Sequence, residues 1–594
     1  MSKETVKNLE ALRDEMRRLR VDAVIIPGTD PHQSEYVSDH WKLRNWVSGF
    51  TGSNGTAVVT LDQAGLWTDS RYFLQAAAEL DGSGFVLHKE DVPGEASIEE
   101  WLVDNLEDGA VLAVDGYLFS INRAAELEEL CGRNGLRFAS DFDIADRVWT
   151  EGRPERPTGK VFIHEEKYAG ESASSKIGRV LAEVKAVGAD SIFIPSLDEI
   201  AWTLNLRGSD VTFTPVFVSY LYLSDEEKVL FVDEVKLDED VRAYLKSMDV
   251  KVKPYDSVKD YLARVSVHET IMLDPVKVSD TLARALDCMK VYAPSPVAML
   301  KAVKNEVQLA GTRKAMERDG AALVRLFMWL EENAGTGKYN EIDVWKKGME
   351  FRGRSELYRG DSFGMIAGYK EHGAIVHYSA DEESASTLAA DGLLLIDSGA
   401  QYLDGTTDIT RTITLGNPTA DEIHDYTLVL KGHLALARAQ FPVGTRGSQL
   451  DALARIYLWE EGMSYLHGTG HGVGHFLAVH EGPQNIRLNE NPTTLRPGMI
   501  TSDEPGVYKA GKYGIRIENL VLTVEGEHTD EFGDFCKFEV LTLFPYDRSL
   551  IDCSMLTLQE KEQVDNYHKQ VYERLSPYLA EDEKKWLADK TKAL

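Results

Sequence analysis

The sequence predicts a mixed α/β (α+β) chain of three domains, two related α/β units followed by a third that carries the chemistry. Three observations point there. A phrase recurs: Asp22-Ala-Val-Ile-Ile-Pro27 is echoed by Asp190-Ser-Ile-Phe-Ile-Pro195, and Trp46 to Gly52-Ser53 by Trp202 to Gly208-Ser209. Both copies alternate strand-like with helix-like stretches, the pattern of a mixed sheet covered by helices. Proline and charge punctuate the chain at Arg153-Pro-Glu-Arg-Pro157 and Ala293-Pro-Ser-Pro296, as linkers do. The expected boundaries are 1–157, 158–302 and 303–594, and 594 residues suit about three or four ordinary domains.

Val6, Leu9, Leu12, Met16 and Leu19 recur at three-to-four spacing and predict an amphipathic helix over 3–19. The apolar run Val21–Pro27 then predicts a buried strand, and the first copy of the repeat carries about a dozen extra residues around Pro31–Arg44. Beyond the second break, Ala302–Glu332 reads as one long helix with Met316, Leu323, Phe327 and Leu330 on one face. Thr557-Leu-Gln-Glu560 is a capping-box pattern, opening a helix with Val564, Tyr567, Val571 and Leu575 on one side and ending at Pro577. The charge-rich tail Glu581–Leu594 is expected to fray.

Bulk properties exclude several classes. The 97 acidic against 65 basic residues give a net charge of −32, which argues against nucleic acid as a partner and for attraction of cations. No stretch reaches the ~18 consecutive apolar residues of a membrane span, and the first twenty residues lack the apolar core of a signal peptide. A soluble, cytoplasmic protein without a membrane partner is therefore expected. Cys131, Cys288, Cys536 and Cys553 show neither metal-type nor redox-type spacing, so reduced thiols are expected.

The last third concentrates candidate ligands. Leu393–Ile396 is a buried-strand pattern running into Asp397-Ser-Gly-Ala-Gln-Tyr-Leu-Asp-Gly-Thr-Thr-Asp408. Asp404-Gly405 is a hairpin signal, so Leu393–Gln401 and Thr407–Leu415 should pair antiparallel, with Asp397 opposite Thr412. Asp408 is an even number of residues from Thr412, which puts both carboxylates on one face. A straight ladder leaves them four residues apart, too far to share a site unless Gly399 or Gly405 marks a bend or bulge. Next come Gly468-Thr-Gly-His471-Gly-Val-Gly-His475, His480-Glu-Gly-Pro483, Thr501-Ser-Asp-Glu504-Pro-Gly506 and Gly514-Ile-Arg-Ile-Glu518-Asn519. Carboxylates with an imidazole among these groups would offer a hard, oxygen-rich donor set that suits Mn²⁺ and tolerates Co²⁺ or Zn²⁺.

Asp397, Asp408, His471, Glu504 and Glu518, in the contexts DSGAQYLDGTTD, GTGHGVGH, SDEPG and IRIEN, resemble in order the metal-binding set of the methionyl aminopeptidase, prolidase and aminopeptidase P superfamily. WVSGFTGSNGT, LWTDSRYFLQA, LDEIAWTLNLRGSD, AVKN and GAIVHY extend the likeness to three-domain cytosolic Xaa-Pro aminopeptidases over roughly residues 20–575. The resemblance implies two creatinase-like domains before a pita-bread catalytic domain. It implies two divalent ions per chain, Mn²⁺ foremost, bridged by Asp408 and Glu518, one site completed by Asp397 and the other by His471 and Glu504. The five ligands so implied are too many for one tetrahedral catalytic ion and suit two ions sharing carboxylates. The resemblance gives Glu504 the proton of the attacking bridging water, and gives His377 and His480 contacts to substrate and developing oxyanion. His467 is implied as a further pocket residue. Arg516 beside Glu518 and Arg411 beside Asp408 are both expected to support the ligands, and Arg516 also to bind substrate. His475 departs from the small residue expected at its position and is expected to alter the pocket wall. The implied activity is removal of the N-terminal residue from peptides with proline second, in a homodimer formed through the last domain. The alternatives are a prolidase acting on Xaa-Pro dipeptides, which shares the ligand set, and a binding protein of the same fold without catalysis, which should lack ligands that are present here.

Overall fold

The two copies of the repeated phrase become the same strand of two sheets. The computed structural model describes residues 2–594 and divides into two units, residues 2–165 with 171–298, and residues 166–170 with 299–594. In the first unit, strands β1 (Ala23–Ile26), β2 (Thr56–Thr60), β3 (Ala64–Thr68), β4 (Val86–Lys89), β5 (Val111–Ala113) and β6 (Arg137–Ala139) lie in the spatial order 4-3-2-1-5-6. The second sheet, β7 (Ser191–Ile194), β8 (Ser219–Ser224), β9 (Lys228–Val232), β10 (Val250–Lys253), β11 (Thr270–Leu273) and β12 (Met289–Tyr292), runs 10-9-8-7-11-12, the same order strand for strand. β1 and β7 each pair antiparallel on one side and parallel on the other. Both are central and covered on both faces, which is why the repeated phrase is a continuous apolar run and not an alternating one. Val24 and Ile26 pack with Leu9, Leu12 and Met16, while Ala23 and Ile25 join Trp101 and Leu127 on the other face.

The first helix forms over Ser2–Leu19, but Val6 is 43% exposed and Thr5 takes the buried position in its place. The residues that the first copy adds carry His32 to the second sheet, where Nδ1 lies 2.8 Å from the Pro195 carbonyl at the end of β7 and Nε2 2.9 Å from the Tyr255 hydroxyl.

In the second unit the long helix spans Glu306–Asn333 and a separate helix, Pro296–Ala302, precedes it. The single helix expected from Ala302 is thus interrupted. Asn305 is the reason: its side chain accepts from the Gln308 N–H, and Gln308 reaches back to the Asn305 N–H, a capping box that fixes the start. Met316, Leu323, Phe327 and Leu330 are buried as the spacing predicts. The helix Leu558–Leu575 opens on the expected Thr557–Glu560 box with Val564, Tyr567, Val571 and Leu575 buried. The tail beyond it does not fray: Glu581–Lys590 is a helix that buries Leu587, pairs Glu583 with Arg325 at 2.8 Å and hydrogen-bonds Trp586 to Glu331.

Two sheets of this unit matter for the site. In one, β13 (Leu393–Ser398) lies between Ile366–Tyr369 and β14 (Ile409–Thr414). In the other, β15 (Ile500–Asp503) is the edge neighbour of β16 (Asn519–Thr529). One core, including Leu393, Leu394, Ile396, Ile500, Leu520 and Leu522 with the helical Phe327 and Leu434, backs both. All four cysteines are free thiols, three of them buried. Among the described residues no helix is long and apolar enough to cross a membrane.

Candidate metal centre

Asp397 is carried by β13, whose six residues are all buried, and faces Thr410 rather than the expected Thr412. The turn sits one residue earlier than the Asp404-Gly405 signal: Tyr402 pairs with Gly405 and Gln401 with Thr406. Tertiary contacts outweigh the local preference. Gly405 is pressed on the long helix, where a Cβ would meet Thr312 and Ala315 at 3.1 Å, and the Asp404 carboxylate is taken by Arg318. The register moves by two residues, which preserves the face and halves the offset between the carboxylates. The ladder also breaks at Gly399, where a Cβ would lie 2.1 Å from both Ser362 Oγ and the Thr407 carbonyl. These two features narrow the gap that a straight ladder leaves between Asp397 and Asp408, and the charge of Asp408 is felt at Asp397.

The glutamates arrive on the other sheet. Asp503 and Asn519 form the last pair of the β15–β16 ladder, so Glu504 and Glu518 leave it side by side. The Glu518 N–H donates to the Thr410 carbonyl at 3.1 Å and the Thr410 hydroxyl donates to Glu518 Oε2 at 2.9 Å, which ties β14 to this end. Glu504 is held by its N–H on the Thr469 carbonyl at 2.8 Å and by the Ser502 hydroxyl on Oε1 at 3.0 Å.

His471 stands in a two-residue strand paired with Asn485–Ile486. Its Nδ1 lies 2.9 Å from the Gly472 carbonyl. That contact makes Nδ1 the protonated nitrogen and leaves Nε2 as the donor atom for a metal. Nε2 is 3.4 Å from Asp408 Oδ2 and 3.5 Å from Glu504 Oε1. Asp408, His471 and Glu518 each bring one donor atom within 4.8 Å of the others, a metal-binding triad.

The surroundings bear on each predicted residue. Arg516 Nη2 donates to Asp397 Oδ2 at 2.6 Å, its Nη1 to the Tyr508 hydroxyl at 2.8 Å, and that hydroxyl lies 2.8 Å from His467 Nε2. His467 and Arg516 are therefore the two ends of a chain leading to Asp397. His480 sets its ring edge-on to His471, centroids 4.4 Å apart. His377 lies in the turn after the 3₁₀ segment Lys370–Ala374, whose Gly373 packs backbone to backbone on Gly514. Arg411 is buried and donates to the Glu518 and Phe544 carbonyls and to Asn519 Oδ1, so it frames the backbone at Glu518 with no ion pair among its bonds. His475 is turned to Thr312 and the Tyr168 carbonyl and is 2% exposed, a packed residue in the site's support.

The electrostatics test whether metal fits. Burial raises the carboxyl of Asp397, opposed by Arg516 and reinforced by Asp408. Burial also raises Glu504 to about 7, with His471 opposing and the Asp408 charge reinforcing, and raises Glu518 well above its ordinary value, with Asp408 and Glu504 adding. For His471 burial works downward, but the hydrogen bond to Asp408 and the Glu504 charge carry it to about 9. The site therefore gathers more negative charge than one arginine and one imidazole neutralise. Asp397 Oδ1 is moreover buried without a hydrogen-bond partner, an unsatisfied acceptor of the kind a cation completes. The residues fit divalent metal.

Thr410, Ser502, Thr469 and Tyr508 position the site and were not singled out in the sequence. Only the period-two Thr410/Thr412 pair left a signal, since Thr412 likewise hydrogen-bonds the Arg516 backbone.

A carboxylate and histidine cluster gathered at strand ends in one unit, with two repeated α/β sheets preceding it in the sequence, defines a metallopeptidase with creatinase-like leading domains. Comparison with known families agrees: metallopeptidase family M24 matches residues 310–525 and its C-terminal region 534–594, and two creatinase/prolidase N-terminal domain families match 8–143 and 152–308. A probable Xaa-Pro aminopeptidase P of Coprinopsis cinerea is 41% identical over 99% of this chain and 98% of its own length. Aminopeptidase P2 of Arabidopsis thaliana is 39% identical over 97% of this chain and 86% of its own. The crystal structure of the X-prolyl aminopeptidase of Caenorhabditis elegans, described as a cytosolic enzyme with a di-nuclear active site, is 35% identical and superposes with a TM-score of 0.95, covering 99% of this chain and all of that one. The chain belongs to the aminopeptidase P family, with two creatinase-like α/β domains and an M24 pita-bread catalytic domain.

Proposed function

We propose that this protein is a cytoplasmic metal-dependent aminopeptidase that removes the N-terminal residue from peptides with proline in the second position. The observation that carries the reading is the convergence of Asp408, His471 and Glu518 in a chain that matches Xaa-Pro aminopeptidases end to end. Asp397, Asp408, His471, Glu504 and Glu518 would hold two divalent ions, with Mn²⁺ best suited to the donor set and Zn²⁺ or Co²⁺ acceptable. When bound, such ions polarise the scissile carbonyl and bring the pKa of water to near ~7.

The chain's own residues do the rest. Glu504, oriented by the Ser502 hydroxyl, takes the proton of the attacking water, a task for a carboxylate within hydrogen-bond reach of it. His377 and His480 donate hydrogen bonds to the substrate carbonyl as it becomes an oxyanion. Arg516 fixes Asp397, and the His467–Tyr508 contact fixes Arg516. An Xaa-Pro bond has no N–H, so recognition falls on the free amino terminus, which the acidic site attracts, and on the ring.

Because an aminopeptidase must leave room beyond proline whereas a prolidase needs the proline carboxylate, peptide length separates the two. Xaa-Pro-Yaa peptides are expected to be cut after Xaa faster than matching Xaa-Pro dipeptides, with Xaa-Ala-Yaa poor and N-acetylated peptides inert. Mass spectrometry of the products decides it: preference for the dipeptide would establish a prolidase, and equal cleavage of the alanine series would remove proline from the function. We also propose a homodimer through the last domain. Its support is an apolar strip on the helix Asp451–Glu460, where Leu453, Ile456 and Trp459 are 37–46% exposed.

A further inference from the structure

Behind the loop that bears His480, three charged side chains are buried together. Glu481 Oε1 accepts from Lys304 Nζ at 2.6 Å, Oε2 is in ion-pair contact with Lys301 Nζ at 2.9 Å without a hydrogen bond, and the three side chains are 1–3% exposed. All three Lys304 donors are used, on Glu481 and on the carbonyls of Lys301 and Ala302. The lysines themselves are fixed, since Lys301 stands in the last turn of the helix Pro296–Ala302 and the Lys304 N–H donates to the Gly498 carbonyl at 2.9 Å. Burying a carboxylate with two ammonium groups is costly unless the arrangement serves geometry.

The geometry it serves is local. The Glu481 N–H donates to the Gly472 carbonyl at 2.8 Å, the same oxygen that lies 2.9 Å from His471 Nδ1. Gly472 and Gly474 admit no side chain here: a Cβ on the first would meet the Glu481 carbonyl at 2.0 Å and on the second Glu481 Oε2 at 3.0 Å. One peptide unit therefore joins His480 to a residue clamped on both sides, and one carbonyl joins that residue to the ring of His471. We propose that Glu481 is a positioning residue: gripped by Lys301 and Lys304, it sets the His480 ring against His471 for the reaction. This rests on the role given to His480 above.

The test is a double-mutant cycle on the metal-loaded enzyme with a proline-containing tripeptide, combining Glu481→Gln with His480→Ala. Glu481→Gln alone is expected to lower kcat at least tenfold with KM and metal content within twofold of the parent. In the His480→Ala background it is expected to change kcat less than twofold. A penalty equal in both backgrounds would overturn the proposal, because Glu481 would then act on the fold at large; so would an unchanged kcat in the single variant. An unimpaired His480→Ala enzyme would overturn the reading of His480 and this one with it, which distinguishes the two failures. Should Glu481→Gln not fold, Lys301→Met, which leaves the Lys304–Glu481 pair in place, enters the same cycle with the same outcomes. In metal-free protein, histidine-labelled NMR is expected to show the His480 and His471 ring signals shifting together in the single variant, and unmoved signals would count against it.

Discussion

Asp408 and Glu518 differ from His377 and His480 in what their loss removes. Asp408→Ala or Glu518→Ala deletes a member of the triad and is expected to abolish turnover together with bound metal. His377→Ala or His480→Ala is expected to keep metal near the parent level while kcat falls by ~10²–10³, the usual cost of a lost oxyanion donor. Elemental analysis beside kinetics checks both, and metal loss in the histidine variants would contradict their role. The protonation of the site gives a second outcome. In metal-free protein Glu504 is raised from 4.5 to about 7 and His471 from 6.5 to about 9, so the folded state holds more protons than the unfolded one across that range. Stability then falls as pH rises: His471's contribution is complete below its unfolded value and lost through about 9, and the cost of ionising Glu504 appears from 4.5 through about 7. The Tm of chelated protein is therefore expected to drop between pH 5 and 9, and metal to flatten the curve while releasing protons on binding. A Tm that climbs with pH in the chelated protein would refute this.

At the scale of elements, the decisive feature is the break at Gly399. Gly399→Ala puts a methyl 2.1 Å from Ser362 Oγ and the Thr407 carbonyl, so β13 must shift or the turn must reopen. Overpacking of this kind costs ~1–3 kcal/mol, and calorimetry should show a lowered Tm with a larger loss of metal affinity than Asn305→Ala, which removes a distant helix cap at ~0.5–2 kcal/mol. Equal metal affinity in the two variants would detach the break from the site. The same hairpin shows how far sequence reaches. Period-two alternation is intrinsic to a strand, so the shared face of Asp397 and Asp408 was legible. The register was not, because Arg318 and the packing of Gly405 on the long helix decide it, and both partners are remote in sequence. The helix start at Asn305 was legible in kind, as Asn-x-x-Gln, yet the apolar pattern running through Ala302 hid it. The tail helix Glu581–Lys590 looked unstructured because its stability comes from Arg325 and Glu331 some 250 residues earlier.

At the scale of the whole molecule, the proposed dimer bears on the site. Leu453, Ile456 and Trp459 are spaced along one face of the helix Asp451–Glu460, an apolar strip that water disfavours. Arg455, buried on the same helix, donates to the Tyr465 carbonyl at 2.5 Å and to the His467 carbonyl at 2.9 Å, and is bound to Asp451. The helix thus holds the loop from which His467 contacts Tyr508, and Tyr508 contacts the arginine that fixes Asp397. A partner seated on the strip would steady this chain of contacts; its absence would loosen it. Light scattering at micromolar concentration is expected to give about twice the 66.3 kDa of one chain. Leu453→Glu/Ile456→Glu is expected to give the single chain, with the fold retained and kcat reduced several-fold, because acidic side chains on a molecule already carrying −32 repel a second copy. A single 66.3 kDa species with the strip intact would end the dimer, and a monomeric variant of full activity would separate assembly from the site.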